Sequence, residues 1–252
     1  MGAAGATAQA GFGQTVVPGK PGRCFIQQNY LLKAGPQGAR LADYLTKTYL
    51  PALAKVNSGP TLVLEAQLAP NLPHVTVITG YQSVEQAWSV RAKLNADKTL
   101  EAATDAWESG PEPPFENTNS ALLEAGDYSP DLAPLNPQPK TPRIFEMRIY
   151  HAPTWRNLRG LHWRFGEGEV KILAKCGAAP ILFASTGIGA DTPNLTWITA
   201  FEDEAARDKA WTAFNADPDW AKLRQESTRR YGDNPTNRQI KLYRAAAYSP
   251  IL

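Results

Sequence analysis

An internal repeat is the sequence feature that most constrains how this chain can fold. Shifting the sequence by 120 positions, as from Arg23 to Arg143, aligns many residues without a gap as far as the last residue. Whole blocks recur at this spacing, such as residues 53–55 with 173–175, 95–97 with 215–217 and 128–130 with 248–250. Self-similarity at a fixed spacing indicates repeated structural units, so the chain is predicted to contain two copies of one unit.

The repeat also predicts the domain boundaries, with one unit in residues 23–129 and the other in residues 143–252. Between them, residues 130–142 contain five prolines, a composition typical of an extended and semi-rigid linker. Residues 1–22 are rich in small side chains and are expected to form a flexible N-terminal segment.

The N-terminal segment leaves the cellular location open. Ala8, Gln9 and Ala10 have the small-x-small pattern of a signal-peptide cleavage site, although the charged and apolar regions that should precede such a site are missing. If the segment is the remnant of an export signal, the protein is periplasmic or secreted. If it is a simple tail, the protein is cytoplasmic.

The spacing of apolar residues predicts the same order of elements, βαββαβ, in each unit. In the second unit, residues 143–151 alternate as a strand, residues 154–176 have helical spacing, and two strands and a second helix follow. Asp217 and Pro218 have the pattern of a helix N-cap followed by proline, which predicts a new helix, and a last strand begins near Asn237.

This order is that of a ferredoxin-like unit, in which both helices cover one face of a sheet. The other face must also be buried. We therefore predict an α+β fold in which two tandem ferredoxin-like βαββαβ units pack sheet to sheet as a single-chain dimeric α/β barrel.

Composition excludes several classes of function. Apolar residues make up 43% of the chain and charged residues 20%, and no apolar run reaches the roughly 18 residues that a membrane-spanning helix needs. The 26 basic and 24 acidic residues are mixed along the sequence, so a nucleic-acid partner is not predicted. Cys24 and Cys176 are far apart and lack metal-ligand spacing, so no metal site is predicted.

Strand alternation suggests a candidate ligand site. Glu146, Arg148 and Tyr150 share one face of the first strand of the second unit, and Phe145, Met147 and Ile149 share the other. We expect the apolar set to meet the helices. The polar set should then face the space between the sheets, together with Gln28 and Tyr30 of the first unit. These residues could bind a small ligand, or Glu146 and Arg148 could form a purely structural ion pair.

The three histidines give little support for acid–base or metal chemistry. His74 is expected to be exposed at a turn, His151 ends a strand, and His162 is expected to be solvent-facing or half-buried on a helix. Their spacing fits no metal-binding motif. No cofactor is predicted, and haem with one of these residues as axial ligand remains an alternative.

The second unit resembles the NIPSNAP family. The resemblance lies in the strand at residues 145–150, in the stretch from Asn194 through Arg207 and Trp211, and in the Asp217 to Trp220 segment. In the first unit Gln28 replaces Arg148, Ile26 replaces Glu146 and Leu100 replaces Trp220. The resemblance implies the dimeric α/β-barrel superfamily, whose relatives include monooxygenases, haem-handling proteins and isomerases.

Two functions follow from this resemblance and from the candidate residues. The first is a NIPSNAP-like binding protein whose barrel takes a small, mostly apolar molecule or a partner protein. The alternative is a cofactor-independent or haem-linked enzyme of the monooxygenase or isomerase type, with its site between the two sheets. Whether the protein is an enzyme stays open, as does association into a homo-oligomer through unpaired sheet edges.

Overall fold

A computed structural model describes residues 23–135, 142–233 and 237–251. The predicted flexible segment 1–22 and residues 136–141 of the predicted linker lie outside the described residues. Among the described residues, no helix is long and apolar enough to cross a membrane.

The two halves of the chain have the same order of elements. The strands of the first half are β1 (Cys24–Leu31), β2 (Thr61–Leu68), β3 (His74–Tyr81) and β4 (Asn117–Ala125), and those of the second half are β5 (Ile144–His151), β6 (Ala179–Ile188), β7 (Asn194–Phe201) and β8 (Asn237–Ala245). The helices are α1 (Gln37–Tyr44), α2 (Leu50–Val56), α3 (Val84–Ala96), α4 (Lys98–Glu108), α5 (Trp155–Arg164), α6 (Val170–Lys175), α7 (Glu204–Ala216) and α8 (Pro218–Tyr231).

A π-helical segment interrupts the long helix of each half at the same place. Leu45–Tyr49 joins α1 to α2, and Phe165–Glu169 joins α5 to α6. A π-helical insertion changes the direction in which the flanking side chains point and is often found at functional sites. The predicted start of α8 is confirmed, because the Asp217 side chain accepts hydrogen bonds from the backbone N–H groups of Asp219 and Trp220.

The eight strands form one closed antiparallel barrel in the order β1-β3-β2-β8-β5-β7-β6-β4. Pairing of β2 with β8 and of β4 with β6 joins the two halves edge to edge. The predicted α+β class is confirmed, but the halves meet by backbone pairing at their edges and not only by packing of faces. Closure leaves no unpaired edge among these strands, so the association through sheet edges considered above has no strand available.

The interior of the barrel is an apolar core to which both halves contribute. Phe25 of β1, Phe145 and Met147 of β5, and Ile198 of β7 are at most 4% exposed and lie in one cluster that contains no helical residue. An eight-stranded barrel is just wide enough for its side chains to fill it. The prediction that Phe145 and Met147 face the helices is therefore wrong.

The helices cover the outside of the barrel, where each half has a second apolar cluster. In the second half, Tyr150 and Trp197 of the sheet pack against Leu161 and Phe165 of the long helix and against Phe214 of α7. In the first half, Tyr30 packs with residues of α1 in the equivalent place. The outer face of each sheet is therefore the face that meets the helices.

Replacing a side chain of the barrel interior should destabilise the protein strongly. Ile198→Ala removes a side chain that is 0% exposed, and we expect a loss of about 2 to 5 kcal/mol of unfolding free energy. Ile188→Ala is the matched control, because Ile188 is 65% exposed and should cost less than about 0.5 kcal/mol. Denaturant unfolding measures both, and similar losses in the two variants would contradict the interior placement.

Candidate functional site

The structure separates the predicted site residues into two clefts. Glu146, Arg148 and Tyr150 lie together on the outer face of β5, beneath the helices of the second half, and Arg148 and Tyr150 line a cavity there. Gln28 and Tyr30 line a different cavity, beneath the helices of the first half. The predicted location between the two sheets is wrong, because core side chains from both halves fill that space.

Glu146 is the anchor of the second-half cleft. Its side chain is fully buried, and its carboxylate accepts hydrogen bonds from the Nε groups of Arg148 and Arg207. The Nε1 group of Trp211 donates a further hydrogen bond of 3.2 Å to the same carboxylate. Glu146 therefore has a structural role in holding two arginines and a tryptophan from β5 and α7.

Arg148 is held in one orientation by three further contacts. Its guanidinium lies over the ring of Trp211, with the Cζ atom 3.6 Å from the ring centroid, and 5.5 Å from that of Trp197. Its Nη1 group donates a hydrogen bond of 3.3 Å to the hydroxyl of Tyr150. Stacking on an aromatic face and bonding to a buried carboxylate leave the guanidinium few alternative positions.

A second buried ion pair crosses the π-helical segment of the second half. The Nε group of Arg164 donates to the carboxylate of Glu169 over 2.6 Å, and both side chains are at most 5% exposed. Burial raises the pKa of the Glu169 carboxyl group, and the charge of Arg164 opposes this shift. Glu169 is the last residue of the π-helical segment, which places this pair in the wall of the cavity.

The cavity above β5 has a volume of about 660 Å³ and is rich in arginine. We call it the arginine cleft, and its charged lining residues are Arg148, Arg164, Arg207, Arg224, Arg238, Glu169 and Asp208. Counting Glu146 behind the lining, five guanidinium groups face three carboxylates, which leaves an excess of two positive charges. In the described part of the chain, Arg224 and Arg238 form no ion pair, and both are exposed at the mouth.

Aromatic residues supply the apolar part of the arginine cleft. Trp211 and Phe214 of α7 and Trp220 of α8 line it together with Tyr150. The rings of Phe214 and Trp220 lie 4.6 Å apart, and the Arg238 guanidinium lies 5.6 Å from the Tyr150 ring. Trp211 and Trp220 also pack against the outer apolar cluster of the second half.

None of the three histidines lines either cleft, so the residues present do not fit an axial histidine ligand for haem there. His74 is buried, and its Nε2 atom hydrogen-bonds to the hydroxyl of Tyr243 over 3.0 Å, so its predicted exposure is wrong. His151 contacts the carbonyl group of Asp191. Within the described ranges, no group of three or more histidine, cysteine or acidic side chains could hold a metal ion.

His162 is also buried, contrary to prediction, and it connects three elements. Its Nδ1 atom hydrogen-bonds to the Tyr128 hydroxyl over 2.9 Å, and its Nε2 atom to the Ser185 hydroxyl over 2.5 Å. Burial lowers the pKa of His162 to about 4. Because Tyr128 follows β4 and Ser185 lies on β6, the imidazole links the end of the first half to the sheet and helix of the second.

Sequence patterns missed most of the arginine cleft. Arg164, Glu169, Arg224 and Arg238 lie on four separate elements and share no local motif. The repeat contains one usable signal. The five positions 120 residues before the cleft arginines are all occupied by uncharged residues in the first half. These residues are Gln28, Tyr44, Ala87, Thr104 and Thr118.

Three solved structures show that the fold of the whole chain is a known one. The first is a proposed monooxygenase from Lactobacillus acidophilus, with a TM-score of 0.53 and 10% identity over 88% of this chain and 93% of that one. The second is a proposed monooxygenase from Fusobacterium nucleatum, with a TM-score of 0.52 and 10% identity over 89% of this chain and 92% of that one. The third is an anthrone oxidase-like protein, with a TM-score of 0.51 and 11% identity over 89% of this chain and 91% of that one. At such identities the likeness is one of fold alone. No curated protein sequence matches this chain.

The closed barrel with its outer helices has the fold of a dimeric α/β barrel, formed here within a single chain. Residues 145–250 match the NIPSNAP family model, so the second half of the chain is similar to NIPSNAP domains. The resemblance inferred from the strand at residues 145–150 and the segment ending at Trp220 is confirmed by this match.

Removing Arg148 should destabilise the protein, because it leaves the fully buried Glu146 with one cationic partner fewer. We expect Arg148→Ala to cost about 3 to 5 kcal/mol of unfolding free energy. Lys98→Ala is the control, since the exposed Lys98–Glu101 pair should contribute less than about 1 kcal/mol. If denaturant unfolding gives the same small loss of unfolding free energy for both variants, Arg148 does not stabilise the buried Glu146 carboxylate.

The buried His162 should make stability fall at acidic pH. The pKa of His162 is about 4 in the folded protein, whereas an unperturbed histidine, as in the unfolded chain, has a pKa of 6.5. Between these two pH values, the imidazole is therefore protonated in the unfolded state and neutral in the folded state. Stability should therefore decrease as pH falls from 6.5 to 4, by roughly 3 kcal/mol in total. Unfolding free energies measured across this range provide the test.

His162→Gln is the matched variant, because glutamine keeps hydrogen-bonding groups but does not titrate. Its stability should depend less on pH over the same range. Burial also lowers the pKa of His74, which contributes in the same direction in both proteins. Equal pH dependence of the variant and the wild-type protein would contradict the assignment to His162.

Proposed function

We propose that this protein binds a small molecule in the arginine cleft, and that the ligand carries an anionic group on an apolar or aromatic body. One observation carries the proposal: five arginines converge on one cavity, and two of them, Arg224 and Arg238, form no salt bridge among the described residues. Planar guanidinium groups bind carboxylate and phosphate groups through paired hydrogen bonds.

The size and lining of the cleft support a small-molecule ligand. A volume of about 660 Å³ lies within the range of ordinary ligand sites. Trp211, Trp220 and Phe214 provide an apolar wall for the body of the ligand, and the arginines at the mouth would bind its charged end. Of the partner classes predicted from sequence, this lining favours a small molecule over a protein.

Binding is favoured over catalysis by the residues that line the cleft. The described lining contains no histidine, cysteine or serine, and its buried carboxylate, Glu169, is already paired with Arg164. The structural relatives named as monooxygenases share about a tenth of their residues with this chain, which supports a common fold and no particular reaction.

We also propose that the chain is a tandem duplication of ferredoxin-like units at residues 23–129 and 143–252, joined by the linker 130–142. Six of the eight corresponding pairs of strands and helices begin 120 positions apart, as β1 at Cys24 and β5 at Ile144 do, and the other two pairs begin 118 positions apart. The π-helical segments and the turn residues with positive φ, Asn71 and Asp191, coincide at the same spacing.

Binding of an aromatic carboxylate tests the proposed function. We expect 1-naphthoate to bind the full-length protein, with an affinity that falls as salt concentration rises. Arg238→Gln should weaken this binding about fivefold, because an exposed charged contact contributes about 1 kcal/mol. Isothermal titration calorimetry gives the affinities directly.

Arg244→Gln is the matched control, since Arg244 lies on the same strand and does not line the cleft. It should leave the affinity unchanged. The proposal fails if 1-naphthoate does not bind at millimolar concentrations, or if the two variants lose affinity equally.

A further inference from the structure

The first half of the chain has a cleft of its own, in the same position as the arginine cleft. This cavity of about 740 Å³ lies between the outer face of the first-half strands and the helices α3 and α4. We call it the tyrosine cleft after Tyr30, Tyr44, Tyr49 and Tyr81, which line it. Its volume is that of a site for a small organic molecule.

The tyrosine cleft lacks the cluster of arginines that favours an anion in the second half. Each of the five cleft arginines is replaced by a neutral residue at the position 120 residues earlier. At the rim, Arg91 is outnumbered by the exposed acids Glu101, Asp105 and Glu108. An anion would be repelled by this rim and would find no guanidinium pair inside.

Aromatic rings form the walls of the tyrosine cleft. Tyr44 and Trp107 stack face to face, with centroids 4.0 Å apart and planes inclined by 4°. Tyr30 and Phe115 meet edge to face with centroids 5.8 Å apart. Flat surfaces of this kind favour a flat aromatic ligand, which can continue the stacking.

Unpaired polar groups are built into these apolar walls. Tyr30 is only 6% exposed and Tyr49 is half-buried, and both line the cavity. Within the described residues, neither hydroxyl forms a hydrogen bond, and neither is one of the enclosed polar atoms that lack a partner, so both are open to the cavity. The buried Nε1 group of Trp107 also has no partner. Hydroxyls that face a cavity without a protein partner can hydrogen-bond to water or to a ligand, so they are available to fix the orientation of a bound molecule.

The position of Tyr49 strengthens the comparison between the clefts. Tyr49 ends the π-helical segment of the first half, as Glu169 ends that of the second. Burial raises the pKa of the Tyr49 and Tyr30 hydroxyl groups, and each is also affected by the nearby Tyr44. Both hydroxyls therefore stay protonated and can donate to an oxygen atom of a ligand.

We infer that the tyrosine cleft is a second, separate ligand site, and that it binds a neutral, flat aromatic molecule bearing hydroxyl or carbonyl oxygen atoms. Stacking against the aromatic walls holds the body of the ligand. The hydroxyls of Tyr30 and Tyr49 hydrogen-bond to its oxygen atoms. This site goes beyond the proposed function, since it prefers a neutral molecule to the anion of the arginine cleft.

The test uses 2-naphthol and the full-length protein at neutral pH, with affinities from isothermal titration calorimetry. We expect Tyr30→Phe and Tyr49→Phe each to weaken 2-naphthol binding about three- to fivefold, because each removes one neutral hydrogen bond. Neither variant should lower the melting temperature, since neither hydroxyl has a partner within the described residues.

Tyr150→Phe is the matched control, because Tyr150 occupies the position equivalent to Tyr30 in the arginine cleft. It should leave 2-naphthol affinity unchanged, as should Arg238→Gln, and Tyr30→Phe should leave 1-naphthoate affinity unchanged. The inference is overturned if 2-naphthol fails to bind up to its solubility limit. It is also overturned if Arg238→Gln weakens 2-naphthol binding while Tyr30→Phe does not, since the ligand would then occupy the arginine cleft.

Discussion

Backbone pairing between the two halves is the interaction on which the rest of the structure depends. β2 pairs with β8 and β4 with β6, which closes two four-stranded sheets into one barrel. Closure satisfies the hydrogen-bonding groups that an open sheet leaves at its edges. It also commits one face of every strand to a shared apolar core, so the two clefts that strand residues line lie between the outer faces and the helices.

The arginine cleft illustrates how a buried carboxylate organises a basic site. Glu146 bonds to Arg148, Arg207 and Trp211, and so connects β5 to α7 while it orients two guanidinium groups. A buried arginine cluster without such an anchor would be destabilised by its own repulsion and by desolvation. Because the anchor lies behind the lining, it fixes the geometry of the cleft without filling the space that a ligand would occupy.

The two halves show how one backbone arrangement can carry different chemistry. Both clefts are roofed by helices, and both have a π-helical segment whose last residue reaches the cavity, Tyr49 in one and Glu169 in the other. The difference lies in side chains at equivalent positions, such as Tyr44 and Arg164. The strands hold the backbone of both halves fixed through the common barrel, so substitutions on the outer face can change the character of a cleft without changing the fold.

The sequence alone determined the element order, the start of α8 at Asp217 and the resemblance of the second half to NIPSNAP domains, because these depend on local spacing and capping. It also identified Glu146, Arg148 and Tyr150 as residues that share a face. Only the tertiary structure decided which way that face points: alternation gives two faces but does not say which one meets the helices. The more apolar face, with Phe145 and Met147, lies in the barrel core. Contacts between elements that are distant in sequence also bury His74 and His162. Such contacts likewise bring Arg164, Arg224 and Arg238 together in one cleft.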